Sequence, residues 1–124
     1  MRLPGSGVEV RIKRVYLPPD LSDGRRVLVD RLWPRGLTRG AAAIDDWFRE
    51  VAPSHALRAW FGHQPGRWEE FRVRYLIELK SPPAFALLER LREIASAGAL
   101  TLVYSAKDEA RNQAVVIAQA LANI

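Results

Sequence analysis

Three apolar residues in a row, Val27-Leu28-Val29, run straight into Asp30-Arg31-Leu32-Trp33-Pro34-Arg35-Gly36. No polar residue interrupts the run, so a strand there must be covered on both faces, as in the middle of a parallel sheet. Pro34 and Gly36 then stop any strand or helix from continuing. The chain is thereby committed to a buried central strand that opens into a loop. That loop carries an acid, two arginines and a tryptophan within the six residues from Asp30 to Arg35.

The other elements are read around this one. Val8 to Tyr16 alternates apolar Val8, Val10 and Ile12 with Glu9, Arg11 and Lys13. That predicts a first strand with one wet face, at or near an edge. Pro18-Pro19-Asp20 ends it, and Ser22-Asp23-Gly24 is a turn signal. The link to the second strand, Arg26 to Asp30, is short for a helical crossover. The first two strands are therefore either antiparallel or joined by an abbreviated connection.

Ile44, Trp47, Phe48 and Val51 fall on one helical face and predict a helix that Ala52-Pro53 ends. Ser54 is placed to cap a short helix with Leu57, Trp60 and Phe61 on its apolar side. Trp68, Phe71, Tyr75 and Leu79 mark a third helix. Phe85, Leu88, Leu91 and Ile94 or Ala95 mark a fourth, with Ser81 as cap, Pro82 and Pro83 in the first turn and Gly98 as its stop. Leu100 to Tyr104 is a third strand, again continuously apolar. Ser105 and Asp108 resemble a capping box that opens a last helix from about 109 to 122. No charge occurs from Asn112 to Ile124. Such a helix is either buried against the sheet, the favoured reading, or half covered by a second subunit. The expected fold is α/β: a small three-stranded, mostly parallel sheet flanked by helices, with a helical insertion between strands 2 and 3.

A chain of 124 residues that is 48% hydrophobic supports one domain with its own core. Residues 1–7, with Pro4, Gly5, Ser6 and Gly7, read as a flexible tail. The absence of cysteine excludes disulfides, thiolate metal sites and cysteine nucleophiles. The N-terminus lacks the apolar region of a signal peptide, and no run approaches the ~20 apolar residues of a membrane helix. A soluble cytoplasmic protein with no membrane partner is expected. The formal net charge is +5, and sixteen of nineteen basic residues are arginine. This balance attracts anions such as nucleic acid, phosphorylated metabolites or acidic proteins. The plainer account of the same arginines is a GC-rich coding bias.

In open α/β sheets, ligands bind beyond the carboxyl ends of the strands. Two strands here end in polar loops, Asp30 to Arg35 and Ser105 to Asp108. If those strands are parallel neighbours, the loops meet, and the last helix points its N-terminus at the same place, where an anion is favoured. Arg31, Trp33, Arg35, Tyr104, Lys107, Asp108 and Asn112 are the candidate ligand-binding residues. Asp30 and His63 are the candidate acid–base groups. Duller roles stand beside each of these. Asp30 can pair with an arginine, Trp33 can be core, and Tyr104 can bury its ring. Asp108 can be a cap, and His63 can close a helix. His55 and His63, eight residues apart without clustered carboxylates, make a weak metal case, so no metal is expected. No phosphate-binding loop, dinucleotide turn or serine elbow is present, so the cofactor is unknown.

The run Val27 to Gly36, then Trp60-Phe61-Gly62-His63, then Ala106-Lys107-Asp108 with Asn112 and Ala114-Val115-Val116, resembles the YeaO-like group of the domain-of-unknown-function 488 superfamily. The likeness spans about Lys13 to Leu121. It implies a compact α/β fold and a bacterial protein, and implies no activity. Broader relatives keep an Asp-Val-Arg motif, loosely like Asp30-Arg31, and often a Cys, a Glu and a later Cys-His-Arg around the third strand. Here those places hold Tyr104, Ala106 and Asn112-Gln113-Ala114, so chemistry relying on a thiol or a His-Arg pair does not transfer.

Three functions remain in competition: an anion or phosphorylated small-ligand site, enzymatic or not; a nucleic-acid binder resting on charge; and a homodimeric interaction module using the uncharged last helix. Monomer and homodimer are both compatible with the sequence.

Overall fold

The computed structural model describes residues 10–123. Strand β1 (Val10–Arg14) leads through a short 3-10 turn (Leu21–Asp23) to β2 (Arg25–Leu28). A one-turn helix α1 (Arg39–Ala42), a two-residue strand β3 (Asp46–Trp47) and a 3-10 turn (Arg49–Val51) come next. Helices α2 (His55–Phe61), α3 (Trp68–Leu79) and α4 (Ala84–Ala97) follow, then β4 (Leu100–Tyr104) and α5 (Gln113–Ala122). The sheet order is β1-β4-β2-β3, and every pairing is parallel.

This architecture is the expected α/β one with a correction: the sheet has four strands, not three. It also closes the question left open about β1 and β2. They do not pair; β4 lies between them, and β1 is one of the two edge strands. The abbreviated connection is organised by its own hydrogen bonds. The Asp20 carboxylate accepts from the Ser22 amide (2.8 Å), and the Asp23 carboxylate accepts from the Asp20 amide (3.1 Å).

The fourth strand comes from the segment expected to be helical, Ile44 to Val51. The spacing there is helical, but its residues serve two different cores. Phe48 and Val51 join the large cluster beneath the helices, whereas Ile44 and Trp47 pack on the small cluster of Val15, Leu28, Ala42 and Val103. Backbone bonds to β2 hold the segment extended: Asp45 N–H to the Arg26 carbonyl and Phe48 N–H to the Leu28 carbonyl, both 2.9 Å. The Asp45 carboxylate adds a bond from the Arg26 amide at 2.8 Å. Helix α1 forms earlier instead. Thr38 caps it by accepting from the Ala41 amide, and Ala43 ends it in the left-handed region.

Alternate residues of the central strands divide between the two cores, as the pleat requires. Val27, Leu100 and Leu102 face the helices, while Leu28 and Val103 face the small cluster. Ser54 caps α2 through the Leu57 amide as its sequence suggests, and its own amide and hydroxyl donate to the Glu78 carboxylate at 2.8 and 2.6 Å. Ser81 does not cap α4; Pro83 stands at that position. Helix α5 begins four residues later than expected. Asp108 folds its carboxylate back onto the amides of Ala110 and Arg111, and Asn112 is the cap, accepting from the Val115 amide. The uncharged stretch that follows is buried by the chain itself: Val116, Ile117, Ala118 and Leu121 all lie in the large core. No described helix is long and apolar enough to cross a membrane. The tail residues 1–7 lie outside the described residues.

Candidate functional site

The parallel register sets Val27 beside Leu102 and Leu28 beside Val103, so β2 and β4 end together. Beyond their carboxyl ends lies a cavity of about 510 Å³, a volume suited to a small ligand. Its walls come from the loop after β2, from α2 and the turn that follows it, and from the segment joining β4 to α5.

Asp30 joins these elements. Only 7% of it is exposed. Its Oδ2 accepts from the Ser105 amide at 3.0 Å, its Oδ1 accepts from the Gln113 side-chain amide, and its carbonyl accepts from Trp47 Nε1 at 2.7 Å. The two carboxylate contacts bridge 75 and 83 residues of sequence. Burial pushes the Asp30 carboxyl above the ordinary carboxylate value, against the opposing pull of the Ser105 and Gln113 hydrogen bonds and of the Arg58 charge.

A raised native value means the folded state binds more protons than the unfolded chain from the ordinary value upward. Stability contributed by Asp30 therefore falls as pH rises through that window. Asp30→Asn removes the effect. The melting temperature of the variant relative to wild type, followed from about pH 4 to 7, is expected to climb with pH. A difference that stays flat would mean the native carboxyl is not raised.

The neighbouring residues have separate tasks. Arg31 lines the cavity, but its guanidinium is turned onto the carbonyls of Ala52 (3.0 Å) and Pro53 (3.3 Å), with Glu50 at 3.6 Å. It ties the β2 loop to the start of α2 and satisfies buried carbonyls there. Trp33 also lines the cavity and shapes its loop: Nε1 donates to the Leu37 carbonyl at 2.7 Å, and the ring packs edge-on to Trp47 beneath Arg39. Arg35 is exposed, and its guanidinium makes no hydrogen bond or ion pair among the described residues; Tyr16 donates to its carbonyl at 2.9 Å. His63 sits at the mouth in the left-handed region (φ 56°), its ring tilted against Phe61. No hydrogen bond joins His63 to Asp30, so the two candidate acid–base groups form no relay.

Of the other expected residues, Asn112 lines the cavity as the α5 cap. Tyr104, Lys107 and Asp108 do not line it. Tyr104 points into the large core, where burial raises its hydroxyl pKa, and it hydrogen-bonds Asn112. Lys107 is exposed in a bend. The Asp108 carboxyl is held below its ordinary value by the amides of Ala110 and Arg111 and by its pair with Arg111.

Sequence reasoning passed over Arg58, Arg111, Gln113 and Ser105, all of which line the cavity. Arg58 carried a weak signal. It lies on the wet face of α2, three residues after His55, which also lines the cavity. Gln113 carried none, because a helix starting at about 109 places it inside the helix rather than at its mouth. Among the described residues no cluster of three or more His, Asp or Glu could hold a metal.

Residues 9–124 match the family model described as "Inactive DUF488-N3 subclade". The chain is 43% identical over 112 residues to an uncharacterised protein of Mycobacterium tuberculosis H37Rv, covering 90% of this chain and 92% of that one. It is 42% identical over 117 residues to the uncharacterised protein YeaO of Escherichia coli K12, covering 94% of this chain and all of YeaO. No solved structure gives a significant match. The match over nearly the whole chain and the identity to YeaO agree with the motifs from Val27 to Gly36 and from Trp60 to His63. This chain belongs to the YeaO-like group of the DUF488 superfamily, within the subclade described as inactive.

Proposed function

We propose that this protein binds a small anionic ligand, such as a phosphorylated metabolite, in the cavity beyond β2 and β4, and holds it without turning it over. One observation carries the reading: four arginines, Arg31, Arg35, Arg58 and Arg111, line the cavity against one carboxylate, Asp30. Arg31 and Arg111 already have acidic partners, whereas the guanidinium groups of Arg35 and Arg58 form no ion pair or hydrogen bond among the described residues. A guanidinium left open beside a concave, partly apolar wall is suited to bidentate contact with phosphate or carboxylate. The first turn of α5 contributes the positive end of its dipole on the same side.

Binding is favoured over catalysis on two grounds. Asp30 and His63 are not coupled, and Asp30 is held in place by Ser105 and Gln113. The family description also names an inactive subclade. The chain's own burial of α5 accounts for the absence of charge there, which weakens the case for that helix as a dimer face.

Calorimetric titration with inorganic phosphate tests the reading. Saturable binding is expected, and Arg35→Ala and Arg58→Ala should each weaken it by about tenfold or more, the value of a charge-assisted contact. Absence of phosphate binding by the wild type would overturn the proposal. Retention of duplex DNA with a steep salt dependence, unaffected by Arg58→Ala, would favour the alternative in which the arginines act as a nucleic-acid surface.

A further inference from the structure

Beside its arginines the cavity is lined by three proton-binding side chains, Asp30, His55 and His63. A proton on any of them makes the wall more positive. Asp30, when ionised, is the charge that opposes an anion at Arg35 and Arg58. Its hydrogen bonds come from neutral donors, the amide and side chain of Ser105 and the side chain of Gln113. Burial makes its ionised form costly, and the Arg58 charge offsets only part of this.

His63 is exposed at the mouth, with a left-handed backbone (φ 56°) and its ring 5.9 Å from that of Phe61. Glycine takes such a backbone at lower cost, so a side chain is held at this point against the local preference. Backbone outliers of this kind gather at ligand clamps. Imidazole is the side chain whose charge ordinarily changes between about pH 5 and 8. His55 stands in the first turn of α2, where the helix dipole opposes positive charge, so His63 is expected to carry the larger share. The other ionisable groups on the wall are Tyr16 and the four arginines, and the buried Tyr75 feels the Asp30 charge. Phenol and guanidinium groups ordinarily keep their protons throughout that range. Arg31 and Arg111 are also engaged by Glu50 and Asp108. Among the described residues, the change of charge at this cavity with pH therefore belongs to Asp30, His55 and His63.

Resting on the anion-binding reading, we propose that the site is gated by protons: a dianion enters as Asp30 loses its charge and His63, with His55, gains one, and it leaves as those protons leave. By linkage, the bound anion draws protons onto the same groups.

Inorganic sulfate keeps both charges throughout this range, so calorimetry with sulfate on the full chain separates titration of the wall from titration of the ligand. From about pH 8 down to about pH 5.5, sulfate affinity is expected to rise about tenfold or more. Titrations in buffers of different ionisation enthalpy should show proton uptake on binding. His63→Gly is expected to fold, since glycine adopts this backbone freely, and to lose most of the rise above about pH 6. Asp30→Asn should bind sulfate more tightly at neutral pH and lose the acid end of the rise. If sulfate binds without proton uptake, or if the rise survives in the double variant His55→Gln with His63→Gly, the gate is overturned and the anion site stands. If neither sulfate nor phosphate binds at any pH, both proposals fall. Should Asp30→Asn not fold, proton uptake by the wild type and by His63→Gly still decides.

Discussion

Asp23→Ala is expected to destabilise the protein by roughly 3–5 kcal/mol, the cost of stripping one partner from a buried ion pair. Asp23 and Arg26 have 4% and 5% of their side chains exposed and meet at 2.6 Å. Lys13 reaches the same carboxylate from β1 at 3.1 Å. The alanine variant would leave the Arg26 guanidinium buried with only the carbonyls of Ala42 and Ala43 as partners. It would also free the Asp20 amide, which donates to Asp23 at 3.1 Å. In urea the midpoint should fall by about 2 M, taking a slope near 2 kcal/mol/M.

Burial alone would raise the Asp23 carboxyl, but hydrogen bonds from Lys13, the Asp20 amide and Arg26 outweigh it and hold it below the ordinary 3.8. Its contribution is therefore complete above that value and is lost as pH falls through the lowered one. The penalty of Asp23→Ala should shrink correspondingly in acid. A double variant, Asp23→Leu with Arg26→Met, should recover part of the loss, because neither charge is then left buried alone. A midpoint unchanged in the single variant would show that water reaches this pair freely.

The second large effect is expected one residue further on. Gly24 closes the 3-10 turn at φ 63°, ψ −133°, and a Cβ there would stand 2.3 Å from the Ala99 carbonyl oxygen and 2.7 Å from the Ala99 Cβ. The obstruction is mainly backbone, and the Ala99 carbonyl also receives the Arg25 amide that starts the β2–β4 ladder. Gly24→Ala adds ~1–3 kcal/mol of backbone strain to ~1–3 kcal/mol of overpacking. A total loss of about 3 kcal/mol or more is expected, read as a fall in melting temperature without loss of secondary structure at low temperature. Gly36 is the control: it also has positive φ, but a Cβ there meets nothing within 4 Å. Gly36→Ala should therefore cost less than Gly24→Ala. Equal losses at the two positions would mean that contact with Ala99 contributes nothing.

Both predictions concern the short connection that brings β2 alongside β4, and so the position of the cavity. That connection is the least legible part of the fold. The continuous apolar runs at Val27–Val29 and Leu100–Tyr104 announce central strands, because nothing but a two-sided cover tolerates them. Their parallel pairing with β1 on the far side of β4 is not written in either run. Asp23 and Gly24 read locally as a turn, while the close approach of Gly24 depends on a partner distant in sequence, Ala99. Ile44 to Val51 misleads for a related reason: spacing records that residues are buried, not that they are buried in one place.

The site is legible to the same degree. Asp30, Arg31, Trp33, Arg35, His63 and Asn112 stand out in the sequence and line one cavity. Tyr104 is taken up by the large core, behind the cavity wall, and the bend at Lys107 leaves that side chain outside. Arg58 and Gln113 become candidates only once α2 and the start of α5 are seen beside Asp30.

If the loop after β2 and the start of α5 hold one anion between them, both must respond when it binds. Amide chemical shifts followed by nuclear magnetic resonance during titration with inorganic phosphate decide this. Saturable shifts confined to Arg35, Arg58 and the segment from Ser105 to Gln113 are the predicted result. Shifts that do not saturate, or that gather instead around Arg11, Lys13 and Ser22 beside β1, would contradict it.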